Sequence, residues 1–399
     1  MEQITKPHCG ARLDRLPDCR WHSSMFAIVA FGLLVCWSNA VGGLILAQLK
    51  ALGWTDNSTT ATFSAITTAG MFLGALVGGI IGDKTGRRNA FILYEAIHIA
   101  SMVVGAFSPN MDFLIACRFV MGAGLGALLV TLFAGFTEYM PGRNRGTWSS
   151  RVSFIGNWSY PLCSLIAMGL TPLISAEWNW RVQLLIPAIL SLIATALAWR
   201  YFPESPRWLE SRGRYQEAEK VMRSIEEGVI RQTGKPLPPV VIADDGKAPQ
   251  AVPYSALLTG VLLKRVILGS CVLIAMNVVQ YTLINWLPTI FMTQGINLKD
   301  SIVLNTMSMF GAPFGIFIAM LVMDKIPRKT MGVGLLILIA VLGYIYSLQT
   351  SMLLITLIGF FLITFVYMYV CYASAVYVPE IWPTEAKLRG SGLANAVGR

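Results

Sequence analysis

Residues 78–88 read Gly-Gly-Ile-Ile-Gly-Asp-Lys-Thr-Gly-Arg-Arg, and residues 319–329 read Ala-Met-Leu-Val-Met-Asp-Lys-Ile-Pro-Arg-Lys. Each ends a long apolar run with an Asp-Lys step and a basic pair. Asp83 and Asp324 are 241 residues apart. A second pair of strings repeats almost the same offset. Glu138-x-x-Pro141-x-x-x-Arg145-Gly146 has its counterpart in Glu380-x-x-Pro383 followed by Arg389-Gly390, and the two glutamates are 242 residues apart. Two independent motifs with one offset mark a duplicated unit.

Outward from these loops the chain is almost free of charge. No Asp, Glu, Lys or Arg occurs in 21–49, 57–82, 96–111, 119–137, 152–176, 182–199, 266–298, 301–323 or 331–379. A helix of about 20 apolar residues crosses a bilayer, so the last window holds two crossings, divided at the polar Ser347–Ser351. The pattern predicts ten spans near 25–49, 59–82, 89–107, 112–139, 147–173, 180–201, 265–291, 301–323, 331–347 and 352–378. They are read as helices because backbone groups in lipid must be satisfied within the segment. Composition agrees: of 399 residues, 55% are hydrophobic and 13% charged, where a soluble chain carries about 25% charged residues. The fold class is all-α, a polytopic membrane protein of two six-helix repeats. The expected parts are a cytoplasmic tail (1–24), an N-terminal six-helix bundle (25–202), a cytoplasmic linker with amphipathic helices (203–263) and a C-terminal bundle (264–399). In that second bundle the counterparts of helices 5 and 6 begin near Gly390, so about 50 residues carrying helices 11 and 12 are expected beyond Arg399.

Orientation follows from the basic residues. With the N-terminus in the cytoplasm, 26 of the 31 lysines and arginines fall in inner segments, and three, Lys50, Arg181 and Lys299, in outer loops. The net charge of +10 therefore points to anionic lipid at the inner face rather than to nucleic acid. Five of the seven cysteines lie in apolar spans as small hydrophobes. His8, Cys9, Cys19 and His22 have no common zinc-finger spacing, so no metal is expected. No cofactor is expected either: the Gly-rich stretches lack the Gly-Lys-Ser/Thr ending of a phosphate loop.

The chain resembles the major facilitator superfamily over nearly its whole length, and GGIIGDKTGRR matches its cytoplasmic signature. Further strings resemble the sugar-porter branch and bacterial inner-membrane metabolite transporters within it. They are Arg118-x-x-x-Gly122-x-Gly124-x-Gly126, the Glu138…Arg145-Gly146 ending, Trp180-Arg181, and Pro203-Glu204-Ser205-Pro206-Arg207-Trp208-Leu209. The resemblance implies a transporter rather than an enzyme. It implies alternating access around one central site, commonly with proton symport. Gln280 and Asn285 fall on positions that contact sugar in that branch. The same branch pairs the arginine at Arg118 with a carboxylate in helix 1, yet Val35–Val41 and the rest of that helix carry no acid.

Ionisable groups inside a bilayer are costly and mark function by default. Arg118 is one; it is satisfied by carbonyls or by an anionic substrate. Glu95 and His98, at i and i+3, share a face of helix 3 and form a proton-coupling candidate, against a structural pair as the alternative. Asn39, Asn157, Trp158, Gln280, Asn285 and Trp286 join Arg118 as candidate substrate contacts, since amides can donate to and accept from hydroxyls. Pro288 and Pro313 are expected to interrupt helices 7 and 8. Asp83, Arg87, Arg88, Glu138, Arg145, Asp324, Arg328, Glu380 and Arg389 are read as a charge latch that biases one state of the transporter. The expectation is a secondary transporter of a sugar, polyol or sugar acid in a bacterial inner membrane. Its partners are the small-molecule substrate, protons and membrane lipid, and it acts as a monomer without nucleic acid. An organic or aromatic anion transporter with Arg118 as its clamp, and a nutrient sensor without flux, remain as alternatives.

Overall fold

The computed structural model describes residues 7–17, 19–141, 145–240, 254–323, 325–349, 351–382 and 387–398. Their regular structure is helical, with no strand among them. In chain order the helices begin α1 (Cys9–Asp14), α2 (Arg20–Val35), α3 (Val41–Ala51), α4 (Asn57–Thr85), α5 (Arg87–Ala106), α6 (Met111–Tyr139), α7 (Arg145–Asn157), α8 (Ser159–Leu170) and α9 (Ala176–Tyr201). They continue α10 (Pro206–Ser211), α11 (Tyr215–Thr233), α12 (Tyr254–Leu257), α13 (Gly260–Thr293), α14 (Leu298–Met309), α15 (Gly311–Val322), α16 (Arg328–Ser347), α17 (Met352–Cys371), α18 (Val378–Glu380) and α19 (Lys387–Gly398), with a π-helical turn at Tyr372–Tyr377. Eight helical stretches among the described residues are long and apolar enough to cross a membrane.

The remaining two expected spans are each broken. The first, expected as one helix over 25–49, stops at Val35 and restarts at Val41. The fifth breaks at Trp158, and the eighth kinks at Phe310. Proline accounts for the last two. Pro161 and Pro313 have no N–H for the carbonyls of Asn157 and Met309, four residues back, and those are the residues at which α7 and α14 end. Pro288 behaves differently from expectation, since α13 runs through it unbroken. The carbonyl it frees is that of Ile284. A Cβ added to Gly43 on α3 would collide with that oxygen and with the Asn285 backbone. The bare Cα of Gly43 lies against the freed carbonyl, an approach that only glycine permits.

The helices form two compact units. One comprises Met1–Ser38, Ala61–Gly156 and Leu184–Gly246; the other comprises Asn39–Thr60, Asn157–Gln183 and Lys247–Arg399. In the first, α4 and α6 pack backbone to backbone. A Cβ on Gly70, Gly74, Gly122 or Gly126 would strike the carbonyl of Phe119, Ala123, Thr67 or Met71 respectively. Leu125, Leu128, Leu132 and Phe136 of α6 meet Phe91 and Tyr94 of α5 in the core. Interdigitated small residues replace the hydrophobic drive that lipid cannot supply. In the second unit, Gly311 and Gly315 stand in the same relation to the Phe360 and Thr364 carbonyls of α17.

After Pro203 the chain forms α10 and α11, and α11 is amphipathic, with Ala218, Met222 and Ile225 on its buried face. Those three and Val229 are buried together with Trp208 and Leu209 of α10 and with Cys9, Leu13 and Leu16 of the tail. Arg12 pairs with Glu219 and with Glu226, the latter at 2.6 Å; Arg15 meets Glu226 at 2.6 Å, and Arg207 meets Asp14 at 2.9 Å. Burial pushes the Glu226 carboxyl up, but hydrogen bonds from Arg12 and Arg15 lower it further, so it sits below the usual glutamate value.

Two outcomes follow. Gly43→Ala forces α3 off α13 and lowers the thermal midpoint in detergent, an overpacking cost of about 1–3 kcal/mol. Gly79→Ala, with nothing near its Cβ position, leaves the midpoint unchanged; equal midpoints for the two variants contradict the packing. The tail contact has a depressed carboxyl pKa, so its stabilisation is present above about pH 4.3 and fades as pH falls through the lower folded value. Hydrogen exchange should show residues 9–16 protected at neutral pH and released in acid, with Glu226→Gln releasing them at both.

Candidate functional site

Two clusters of buried polar groups stand out, one in each unit. The first is organised by the break in helix 1. Residues 36–40 are not helical, so the carbonyl of Ser38 is free to accept from a side chain. It accepts from Arg118 Nη1 at 2.7 Å. Arg118 is 2% exposed, and its other neighbours are neutral: Thr67 Oγ1 at 3.3 Å, Met121 Sδ at 3.2 Å and the Phe63 ring at 4.8 Å. No carboxylate faces it among the described residues.

The hydroxyl of the same Ser38 is hydrogen-bonded to His98 Nε2 at 2.7 Å. Cys36 Sγ donates to Glu95 Oε1 at 3.6 Å. Gly124 of α6 lies close under His98, so a side chain there would crowd the imidazole's backbone. Glu95 and His98 are both fully buried. Their facing atoms, Oε2 and Nδ1, lie 3.7 Å apart, and neither has a hydrogen-bond partner among the described residues. The family resemblance puts helix 3 at the periphery, yet this face of α5 points inward onto the break in helix 1. Cys36, Glu95 and His98 each offer one ligand atom within 4.8 Å of the others, a spacing that a metal ion could span. The Arg118 charge, one residue away through Ser38, opposes a divalent cation there, and a proton is the lighter load.

The second cluster lies in the other unit. Tyr367 of α17 is 1% exposed, and among the described residues no group meets its hydroxyl at good hydrogen-bond geometry. Tyr160 of α8 meets its ring edge-on at 5.5 Å, and the Tyr160 hydroxyl and the Gln280 amide of α13 are the hydrogen-bonding groups beside the Tyr367 hydroxyl. Asn305 of α14 donates to Ser164 Oγ at 3.2 Å and leaves its own Oδ1 without a partner. Trp158 and Phe310, at the breaks in the fifth and eighth spans, meet edge to face at 6.2 Å. Asn285 is buried on α13, while Asn39, Asn157, Gln280 and Trp286 are half-buried in the same unit. Six of the seven sequence candidates for substrate contact thus fall in this unit, and Arg118 falls in the other. Sequence reading passed over Asn305 and Ser164. Both are polar residues in charge-free windows, and that was the available signal.

The charged loops close within each repeat. Arg87 Nη1 meets Asp83 at 2.6 Å, and its Nε meets Glu138 at 2.9 Å. Glu204 accepts from the backbone N–H of Arg87, Arg88 and Ser205 at 2.7, 3.2 and 2.9 Å. Its carboxylate lies against Gly86, whose φ of 98° and missing Cβ admit it. Trp208 Nε1 and Arg212 both donate to the Asp83 carbonyl, at 2.7 and 2.6 Å. In the other repeat Arg328 pairs with Glu380 at 2.9 Å. Asp324 lies outside the described residues, and so do the side chains of Arg145 and Arg389.

Buried polar clusters among glycine-packed spans, with clamped charged loops at the same place in each repeat, define a multi-pass membrane transporter fold. The chain matches the Major Facilitator Superfamily over residues 24–399, and it belongs to that family. It is 44% identical over 402 residues to the inner membrane metabolite transport protein YdjE of Escherichia coli (strain K12), covering 100% of this chain and 88% of that protein. It is 24% identical to the niacin transporter NiaP of Acinetobacter baylyi, covering 98% and 87%. Among solved structures it is similar to the xylose transporter XylE of E. coli in a partially occluded inward-open conformation. The TM-score is 0.71 at 18% identity, with 95% of this chain and 89% of that one covered.

Proposed function

We propose that the protein is a secondary active transporter of a small hydroxylated or carboxylated metabolite (sugar, polyol or sugar acid) by alternating access, coupled to protons. It sits in a bacterial inner membrane with its N-terminus in the cytoplasm. The observation that carries the reading is the Tyr160–Gln280–Tyr367 cluster. A buried phenol without a well-formed hydrogen bond is costly, and a solute hydroxyl or carboxylate seated beside Tyr160 and Gln280 supplies one. The similarity to a metabolite transport protein at 44% identity supports the substrate class.

Proton coupling rests on the Glu95–His98 pair. A proton held between the two satisfies both orphaned atoms and neutralises the carboxylate. The groups facing the pair are Cys36 on the helix 1 side and, through Ser38, Arg118 on α6. Ser38 touches His98 with its hydroxyl and Arg118 with its carbonyl, so a protonation change at α5 is felt at the arginine. The acid that the sugar-porter resemblance places in helix 1 is thereby replaced by one on helix 3. The charged loops of the two repeats clamp helix ends and bias which side is open.

A second reading has support of its own. Among the described residues Arg118 has only neutral partners, so an organic or aromatic anion would provide its counter-ion. The 24% identity to a niacin transporter points the same way.

Counterflow in proteoliposomes, with a panel of sugars, polyols, sugar acids and aromatic acids, tests both. At least one solute is expected to exchange, and its accumulation to collapse with a protonophore. Glu95→Gln should keep exchange and lose accumulation against a gradient. Arg118→Gln should weaken uptake of carboxylate-bearing solutes by roughly thirtyfold or more if the arginine binds them directly, and spare neutral ones. Saturable binding of a panel solute without flux would identify a sensor and overturn transport. Undiminished accumulation in Glu95→Gln would remove this pair from the coupling.

A further inference from the structure

A cavity of about 630 Å³ opens between the base of the first repeat and the linker helices, and no residue of either polar cluster lines it. Trp21, Leu209, Val221 and Ile225 form its apolar floor, and Arg88, Asn89, Lys220 and Ser224 supply donors around it. Two carboxylates also line it, and both are already engaged. Glu204 Oε1 accepts all three backbone N–H groups described above, and Glu217 is paired with Arg214 at 2.7 and 2.5 Å. The cations are less occupied. Arg88 is anchored through Nη2 to the Trp199 carbonyl at 2.6 Å, while its Nε is buried without an acceptor. Lys220 is exposed at the rim and pairs with none of the described acids. The cavity thus has three cations, Arg88, Arg214 and Lys220, against two carboxylates that each have a partner, beside an apolar floor, the complement of a phosphate group carrying hydrocarbon.

Its level in the fold identifies the source. The cavity lies where α9 ends and α5 begins. Trp199 and Tyr201, in the last turn of α9, are 63% and 60% exposed. Large aromatics left outside a span at its end belong to the membrane–water interface, at the depth of the headgroups. We propose that this cavity binds the phosphodiester headgroup of an anionic phospholipid from the leaflet on the side of the 78–88 loop. Arg88 and Lys220 take the phosphate, and the first acyl carbons lie on Trp21 and Tyr201. A bound lipid would join the end of α9 to α11, beside α10, whose Trp208 donates to the Asp83 carbonyl.

Native mass spectrometry of the full chain in detergent tests the site, with phosphatidylglycerol, phosphatidylcholine, glycerol 3-phosphate and inorganic phosphate as probes. The wild type should retain phosphatidylglycerol in preference to phosphatidylcholine, and neither small phosphate should displace it. Lys220→Ala should weaken retention by about fivefold, the effect of one basic side chain at an anionic surface. Arg231→Ala removes the same charge from the exposed end of α11, outside the cavity, and should leave retention unchanged. Ser224→Trp fills the space without altering charge and should also weaken it, so an effect on folding in one variant does not decide the result. Equal retention in wild type, Lys220→Ala and Ser224→Trp would overturn the proposal, as would equal retention of phosphatidylcholine. Displacement by glycerol 3-phosphate or inorganic phosphate would assign the cavity to a soluble phosphate instead of a lipid.

Discussion

A guanidinium buried in an apolar helix has to be satisfied, and the way Arg118 is satisfied shapes the first unit. It has no carboxylate partner among the described residues. A helix 1 that ran unbroken would keep the Ser38 carbonyl within its own hydrogen-bond ladder. The break at 36–40 releases that oxygen to Arg118 and turns the Ser38 hydroxyl to His98. It also brings the Cys36 thiol to Glu95. One stretch of unwound backbone therefore links α6 to α5, and irregular backbone at membrane depth is tolerated where it is buried in protein in this way. The glycines of α6 assist. Gly122 and Gly126 bring α4 close enough for Thr67 to reach Arg118, and Gly124 leaves room for His98.

The second unit solves a different problem. Two of its spans break at prolines, and a third carries one unbroken. Pro161 and Pro313 divide their helices just past Asn157 and Met309, and the residues at the breaks, Trp158 and Phe310, pack on one another. Pro288 leaves α13 whole because Gly43 comes up against the exposed Ile284 carbonyl. Asn305 Oδ1 and the Tyr367 hydroxyl, both buried in this unit, retain hydrogen-bonding capacity that the described residues do not use. This incomplete satisfaction is what a solute site requires and what a purely structural core avoids.

Much of this was legible in the residues. The charge-free windows located the spans, because charge in lipid is prohibitive and its absence is easy to read. The paired loop motifs disclosed the duplication, and the 3.6-residue spacing of Ala218, Met222 and Ile225 revealed the linker helix and its buried face. The breaks were less legible. Val35–Val41 contains no proline and remains apolar enough to continue as helix; its unwinding is stabilised by partners 60 and 80 residues away, His98 and Arg118. Glu95 and His98 could be placed on one face by spacing, but that the face points inward depends on where α5 packs, which periodicity alone does not specify. Pro288 shows the converse: a local rule for interruption was overridden by a glycine 245 positions earlier in the chain.

Outward from the break in helix 1, the account requires that solute binding change the protonation of one carboxyl group on helix 3. Solute-induced infrared difference spectroscopy on the reconstituted protein reads this directly. The account predicts that a transported solute shifts a protonated-carboxyl band in the wild type, that Glu95→Gln abolishes the band, and that His98→Ala displaces it. A solute that exchanges across the membrane with no carboxyl band assignable to Glu95 would contradict it.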